Sequence, residues 1–570
     1  MRWKEPIPYS AEDLQRLAKV SIDPTIATLL LNRSIYSFEE ANEFFNPDIK
    51  LLHDPYLMKD MAKAMKIILE ALKNNERIMI YGDYDVDGTT SVTLLYTYLK
   101  SIGGDLLTYV PDRYSEGYGI SIQGIDRAKE EGISLIIAID CGIRAVEQVA
   151  YAKELGIDFI ICDHHLPGEV IPKAEAILNP KQSDCPYPFK DLCACGVGFK
   201  LIQAIHTKRG GDFNDLLPYL DLVAIATAAD LVPIVGENRI LSAIGLKVLN
   251  DYPKRVGIEA ILEACKLLDQ DINNTDLGFK IGPRINAAGR MKHAIHSVEL
   301  LIEEDKEVAK TIALAIENYN QERRTADGGI TKEALIQIET ANEVENSTTV
   351  VYDASWHRGV LGIVASRLIE THYRPTIVFG KGEGYLTASA RSVKGFNIFD
   401  AINECAPLLE KYGGHKYAAG LSLLPENYEA FKTKFEEIVK NSITPESLQP
   451  ELLIEAEIPL KDLLPDGKGD FPKLYRIIHR MRPFGPGNKS PVFITKGVID
   501  KGSRKIGSEE KHLRLSISDK STNWTFTGIG FNLGHKLDEI DKENFDIVYS
   551  LDENHWNGNT SLQLMIKDIR

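Results

Sequence analysis

Three short apolar runs, each ending in acids, constrain this chain more than any other feature. Arg77-Ile78-Met79-Ile80-Tyr81, Ser134 to Ile139 and Asp158 to Cys162 each read as a buried strand. The first leads into Asp83-Tyr84-Asp85-Val86-Asp87, the second into Asp140-Cys141-Gly142, the third into Asp163-His164-His165. Helical stretches lie between and beside them: Thr89 to Lys100, Ile122 to Glu131 and Ala145 to Leu155. Strand alternating with helix predicts a parallel α/β sheet. Ligands bind such sheets at the C-terminal ends of the strands. Adjacent strands would therefore gather residues about eighty positions apart, such as Asp83 and Asp163, into one pocket.

The chemistry of that pocket follows from its charges. Asp83, Asp85 and Asp87 at alternate positions repel one another unless one or two divalent cations lie between them. A calcium loop of the helix–loop–helix type would need a preceding helix, and here a strand precedes. Asp163-His164-His165 adds imidazoles to the carboxylates, a donor mix that suits manganese or magnesium, with nitrogen favouring manganese. Asp230 ends an apolar helical stretch from Leu216 to Ala229, with Pro233 limiting its extension. Asp140 and Asp230 gain weight only from standing at element ends. Two cations on shared carboxylates suit phosphoryl transfer, so the sequence reads as a metal-dependent phosphodiesterase. It holds no Gly-x-x-x-x-Gly-Lys-Ser/Thr loop and no Gly-x-Ser-x-Gly nucleophile.

A chain of 570 residues implies several domains. The first fifty residues read as helical and peripheral, and Leu301 to Ile338 as a charged helical connector. A second α/β pattern follows, with strands at Thr349–Tyr352, Pro375–Phe379 and Gly384–Ser389 and a helix at Val360–Thr371. Gly413-Gly414-His415 reads as a turn before Ala418-Ala419-Gly420. Short strands then dominate: Pro491–Thr495, His512–Ser518, Thr522–Gly530, Asp546–Leu551 and Ser561–Lys567. They predict a small β-barrel or sandwich. The net charge of −16 argues against indiscriminate coating of nucleic acid. Yet Phe471 to Leu515 carries eleven Lys and Arg against three acids, a local sign that favours a binding face. Seven scattered cysteines, no signal-peptide pattern and no long apolar run predict a reduced, cytoplasmic protein without a membrane segment.

The motifs Tyr81-Gly82-Asp83-Tyr84-Asp85-Val86-Asp87-Gly88, Ile139-Asp140-Cys141-Gly142, Asp163-His164-His165 and Asp230 resemble the four motifs of the DHH phosphoesterase superfamily. Gly413-Gly414-His415-Lys416-Tyr417-Ala418-Ala419-Gly420 resembles the glycine-rich motif of the DHH-associated domain. Further segments are similar to the RecJ family within it: Pro111-Asp112-Arg113 with Gly117-Tyr118-Gly119, Gly282 to Arg290, Trp356 to Gly362, Ser389-Ala390-Arg391-Ser392, and Pro483-Phe484-Gly485-Pro486-Gly487-Asn488. The resemblance implies an N-terminal helical segment (1–50), a DHH phosphoesterase parallel-sheet domain (51–300), a helical connector (301–345), a smaller DHH-associated α/β domain (346–445) and an OB-fold β-barrel (446–570). It implies a 5′-to-3′ single-stranded-DNA exonuclease of recombination and repair, using two Mn2+ or Mg2+ ions. Two departures stand out. Tyr81 occupies a position that is histidine in other superfamily members, and Met291-Lys292-His293-Ala294 replaces an acidic, proline-containing continuation.

Carried over residue by residue, the resemblance assigns metal binding to Asp85, Asp87, Asp140, His164 and Asp230, with Asp140 bridging and Asp83 as a further ligand. Asp140, His164 and His165 are the catalytic candidates, His165 as an assisting acid. A terminal 5′ phosphate needs forked cationic donors, and Arg113, Arg284, Ser389 and Arg391 are the candidates. Arg290 reads equally as an ion-pair partner or a phosphate contact. Gly414 and His415 would let backbone donors approach a phosphate. Phe484, Phe493, Trp524 and Phe526 are the barrel aromatics, with Trp524 and Phe526 expected in its core. Expected partners are single-stranded DNA, a single-strand-binding protein and a helicase, and the expected state is a monomer. Two rivals remain at this point: a phosphodiesterase of oligoribonucleotides or cyclic dinucleotides, whose known examples are shorter and usually lack the β domain, and a non-catalytic single-strand-binding scaffold, which would have lost its metal ligands.

Overall fold

The computed structural model describes residues 1–10, 12–13, 17, 23–467, 471–540, 544–556 and 559–570. Strands β2 (Arg77–Gly82), β3 (Asp105–Tyr109), β4 (Leu135–Ile139), β5 (Asp158–Cys162) and β6 (Ala176–Leu178) form one wholly parallel sheet in the order β3-β2-β4-β5-β6. Alternate side chains serve opposite cores, as the strand period requires. Ile78 and Ile80 face the helices Met61–Lys73, Val86–Ser101 and Ala194–Lys208, whereas Met79 and Tyr81 face Ile122–Glu130 and Val146–Glu154. The register sets the site: Gly82 lies opposite Ile139, Ile139 opposite Cys162, and Cys162 opposite Leu178. The strands end level, so Asp83, Asp140 and Asp163 emerge side by side.

A 35-residue helix, Lys306–Thr340, leads to a second sheet. Strands β7 (Thr349–Tyr352), β8 (Thr376–Lys381), β9 (Leu386–Arg391), β10 (Lys411–His415) and β11 (Ala418–Leu423) run in the order β10-β11-β9-β8-β7. Only β7 and β8 pair in parallel. Val378 faces the Leu361–Thr371 helix, while Ile377 and Phe379 face Tyr428–Ser442. Gly413-Gly414-His415 is not a turn but most of β10, paired Gly413 to Gly420 and His415 to Ala418. The glycines signal close approach here: a Cβ on Gly414, at φ +149°, would lie 2.5 Å from the Ala418 carbonyl oxygen.

The C-terminal strands β13 (Ala456–Glu457), β14 (Val492–Asp500), β15 (Arg504–Ile506), β16 (His512–Asp519), β17 (Thr522–Gly530), β18 (Phe545–Trp556) and β19 (Asn559–Ile569) form a seven-stranded sheet that β14 and β16 close into a barrel. The N-terminal segment is not peripheral. Ile26, Leu29, Leu30 and Leu31 share one core with Leu460, Tyr475, Phe493 and Leu515 of the barrel. Strand β1 (Arg2–Lys4) pairs with β12 (Glu451–Leu453). Residues 11, 14–16 and 18–22 of that segment fall outside the described residues. Of the two neighbouring aromatics on β17, Phe526 is in the core but Trp524 is 59 % exposed. The β16–β17 pairing shifts register between Ile517 and Asp519, and the strand end beyond the bulge leaves the core. Phe493 is core and Phe484 packs partly against it. Among the described residues no helix is long and apolar enough to cross a membrane.

Candidate two-metal active site

The acids arrive on backbone that few other sequences would adopt. Gly88 lies in the first helical turn after Asp85, and a Cβ there would stand 2.3 Å from the Asp83 carbonyl oxygen. Only glycine lets the loop fold back so tightly. Asp85 caps the Val86–Ser101 helix by accepting the Gly88 N–H at 3.1 Å. Asp87 lies in the first helical turn, fully buried, and accepts the Ala194 and Cys195 N–H groups at 2.7 and 2.9 Å. Those amides open a second helix, Ala194–Lys208, whose N-terminal dipole favours the carboxylate. Asp140 holds a left-handed φ of 64° directly after β4. Asp230 closes the Leu220–Ala229 helix. That helix is shorter than predicted, because Phe213–Tyr219, with Pro218 inside it, is 3-10.

These residues converge. His164 Nε2 lies 3.3 Å from Asp140 Oδ1, 3.7 Å from Asp87 Oδ2 and 3.8 Å from Asp230 Oδ2. Ligand atoms of Asp87, His164 and Asp230 fall within 4.8 Å of one another, and so do those of Asp83, Asp85 and Asp140. Asp140 thus belongs to one group and touches the other, the position of a bridging ligand. Without cations the cluster is electrostatically strained. Burial, then the Asp85 charge, pushes Asp87 up to about 7. Burial, then Asp87 and Asp85, pushes Asp230 up to about 8. Asp83 and Asp140 are raised for the same reasons, burial first and neighbouring carboxylates second. His164 is lowered to about 3, by burial and then by His165, and stays a neutral imidazole able to donate a lone pair. Asp83 Oδ1 is buried without a hydrogen-bond partner. Oxygen-rich donors, one neutral imidazole, an orphaned carboxylate oxygen and mutual repulsion together fit two hard divalent cations.

His165 does something different. Its Nδ1 is 2.7 Å from Asp163 Oδ1, and its Nε2 is 3.0 Å from the Tyr118 hydroxyl. Asp163 also accepts the N–H groups of Ile143, His164 and His165 at 3.0, 2.7 and 3.1 Å. Burial opposes its ionisation, yet these donors hold Asp163 at about 2. Burial alone would lower His165; the Asp163 hydrogen bond and charge outweigh it and raise the imidazole. Tyr81 takes no part in the cluster. It points to the opposite face, where its hydroxyl meets Gly119 and Ser121.

A cationic group stands beside the acids. The Gly282–Met291 helix packs on the first motif through Gly289, where a Cβ would be 2.7 Å from the Tyr84 carbonyl oxygen. That contact brings in Arg290, which donates to the Gly359 carbonyl at 3.1 Å and is pushed down to about 10 by burial and by Arg113, Arg323 and Arg391. Arg113 lies 4.7 Å over the Tyr84 ring. Arg391 and Ser389 flank Gly362 in the first turn of the Leu361–Thr371 helix, where a Cβ would lie 2.7 Å from Arg391 Nη2. Among the described residues, Arg113, Arg290 and Arg391 form no ion pair with a carboxylate. Arg284 does: it is held by Glu317 at 2.5 Å and by the Lys280 carbonyl, and does not join the group. Cross-strand register puts His415, Ala418 and Arg391 in one row, and Gly413, Gly420 and Ser389 in the next, all on one face. The sequence reading missed the amides of Ala194 and Cys195 and the role of Gly362. No side-chain signal marks a backbone donor.

Comparison with known proteins agrees with this architecture. The chain matches the DHH family, N-terminal domain, over residues 77–227, the DHHA1 domain over 345–441 and the RecJ OB domain over 454–568. It is 37% identical over 574 residues to the single-stranded-DNA-specific exonuclease RecJ of Bacillus subtilis, covering 100% of this chain and 70% of that one. It is 34% identical over 567 residues to RecJ of Salmonella typhimurium, covering 96% of each. The crystal structure of RecJ with Mn2+ from Thermus thermophilus superposes with a TM-score of 0.84 at 27% identity, over 100% of this chain and 79% of that one. This likeness along the whole length, with the DHH, DHHA1 and RecJ OB domains on one chain, places it in the RecJ family of DHH phosphoesterases.

Proposed function

We propose that this chain is a single-stranded-DNA-specific exonuclease that removes nucleotides from the 5′ end, using Mn2+ or Mg2+, in recombination and repair. The observation that carries the reading is Asp140, shared between two ligand groups at the level ends of parallel strands. Asp83, Asp85 and Asp140 would hold one ion, and Asp87, His164 and Asp230, with Asp140, the other. When bound, such a pair supplies an activated water and charge neutralisation at the phosphoryl group. The protein's own groups do the rest. Asp163, an acceptor only, keeps a proton on His165 Nδ1 and fixes that ring beside the centre. Arg113, Arg290, Arg391 and Ser389 would clamp a terminal phosphate, and Gly362 leaves room for the Arg391 guanidinium. Gly413, Gly414 and Gly420 leave the sheet face low beside Ser389, with His415 at its rim. A 5′-terminal phosphate held there would set polarity, because the strand would enter by the end that carries it.

The exposed Trp524 and the basic strands around it would extend the grip on the single strand. A helicase to supply the strand and a single-strand-binding protein to protect it are the partners this reading implies. It also implies a monomer working in the cytoplasm. The test is digestion of end-labelled single-stranded DNA with and without a 5′ phosphate, in Mn2+. Release of labelled mononucleotides from the 5′ end, faster with the phosphate, is expected. Release from the 3′ end would reject the polarity, and faster turnover of dinucleotides than of long strands would favour the small-nucleotide reading.

A further inference from the structure

The loop that carries Arg113 has an internal anchor that the chemistry above leaves unused. Between β3 and the Ile122–Glu130 helix the chain runs Pro111 to Ser121, turning at Gly117 and Gly119 with φ of 88° and 85°. Glu116 folds back into this loop instead of pointing to solvent. One carboxylate oxygen accepts the Asp112 N–H at 2.8 Å, immediately before Arg113. The other accepts the Tyr109 hydroxyl at 2.8 Å and the Ser121 hydroxyl at 2.5 Å. Beneath them lies Tyr81, wholly buried, its ring stacked on Tyr109 at 5.1 Å. The Tyr81 hydroxyl donates to the Gly119 carbonyl at 3.1 Å and accepts the Ser121 N–H at 3.0 Å. Gly124 completes the fit, since a Cβ there would stand 2.6 Å from the Tyr81 ring.

We propose that Glu116 is a positioning residue for Arg113, and that Tyr81, buried beneath the loop on the face away from the acidic cluster, anchors it. The proposal rests on reading Arg113 as a phosphate contact. Arg113 receives no ion pair among the described residues, so nothing but the loop and the Tyr84 ring fixes its guanidinium. A half-buried carboxylate taking three donors holds its backbone in one arrangement, and a charge-assisted bond of this kind is worth roughly a tenfold effect when lost.

The experiment is a double-mutant cycle with steady-state kinetics on 5′-phosphorylated and 5′-hydroxyl single strands, read beside Mn2+ titration calorimetry. Glu116→Ala should raise KM for the phosphorylated strand about tenfold with kcat within about twofold. Arg113→Ala should do the same, and the double variant should lose little more than either single. Glu116→Gln keeps one acceptor oxygen and turns the other into an NH2 donor, so it should restore the activity only in part. Tyr81→Phe should raise KM and leave Mn2+ affinity unchanged. If Glu116→Ala does not fold, Tyr109→Phe removes one of the three donors and should give a smaller rise in KM. Additive losses, or a loss in Glu116→Ala with none in Arg113→Ala, would overturn the positioning role. Weaker Mn2+ binding in Tyr81→Phe would overturn the anchor. If Arg113→Ala affects both strands equally, the phosphate reading fails, and the cycle still judges the link between Glu116 and Arg113.

Discussion

Asp140 belongs to one acidic group and lies 3.3 Å from His164 of the other, so on the two-metal reading its removal should be felt by both. Asp140→Ala is expected to reduce cleavage by more than about 100-fold, the upper end for lesser ligand-supporting groups, while gel-shift binding of single-stranded DNA persists. Cleavage at the normal rate would remove Asp140 from the centre. The acids also predict how the metal and pH act together. Asp87 and Asp230 stand at about 7 and about 8, well above unfolded carboxylates. A raised carboxylate stabilises the folded state while protonated, and that stability is lost as pH rises through the folded value. The metal-free protein should therefore melt lower at about pH 8.5 than at about pH 6, and the gain on adding Mn2+ should grow over the same interval. Melting in chelator and in Mn2+ at the two pH values checks this. A gain that shrinks toward alkaline pH would count against carboxylate ligation.

Among the elements, β2, β4 and β5 were legible because their signal is local: each apolar run carries its own length, its own boundary and its own acids; β3 and β6, without acids at their C-terminal ends, were not. The register that levels Gly82, Ile139 and Cys162 is set by the pairing between strands, which alternation does not announce. Strand β10 was not legible, because Gly413-Gly414 has turn composition and its pairing with β11 depends on tertiary context. Arg284 shows the same limit from the other side. Its place on a motif-bearing helix suggested a phosphate contact, but Glu317, thirty-three positions on, holds it. The glycines separate into those that need to be glycine and those that do not. Gly88→Ala would drive a methyl into the Asp83 backbone, which cannot move without moving a ligand. It should lower both activity and Mn2+ affinity at least tenfold, by the handle of about 1.4 kcal/mol per decade. Gly329, in the middle of the long Lys306–Thr340 helix, has nothing within 4 Å of an added Cβ. Gly329→Ala should stabilise that helix by about 1 kcal/mol, seen as slower proteolysis at the connector, with activity kept.

At the scale of the whole molecule the chain closes on itself, and this no local pattern could announce. The N-terminal helices Pro24–Leu31 and Phe38–Phe45 carry ordinary amphipathic sequence, which marks a buried face without saying what covers it. What covers it is the barrel more than four hundred residues away. Arg33 makes the join specific. Its guanidinium meets Glu455 at 2.7 Å, with both side chains nearly buried, and donates further to the carbonyls of Leu29 and Lys489 and to Asn488 Oδ1. Asn488 in turn donates to the carbonyls of Met481 and Pro483, so the pair secures the Pro483–Asn488 segment. From the other side, the buried Arg239 donates to the carbonyls of Phe44, Met481 and Arg482, tying the phosphoesterase domain to both partners. Breaking a buried pair by deleting one partner leaves the other charge uncompensated, which costs about 3–5 kcal/mol. Arg33→Ala should accordingly loosen the barrel and the N-terminal segment together, while the metal centre, which neither supplies with a ligand, stays intact. Calorimetry should show one early transition split from the rest, and Mn2+ should still bind with unchanged affinity. Cleavage of dinucleotides should persist while long strands, which need the barrel's grip, turn over more slowly. A single unshifted transition would mean that the N-terminal segment is not a structural part of the barrel.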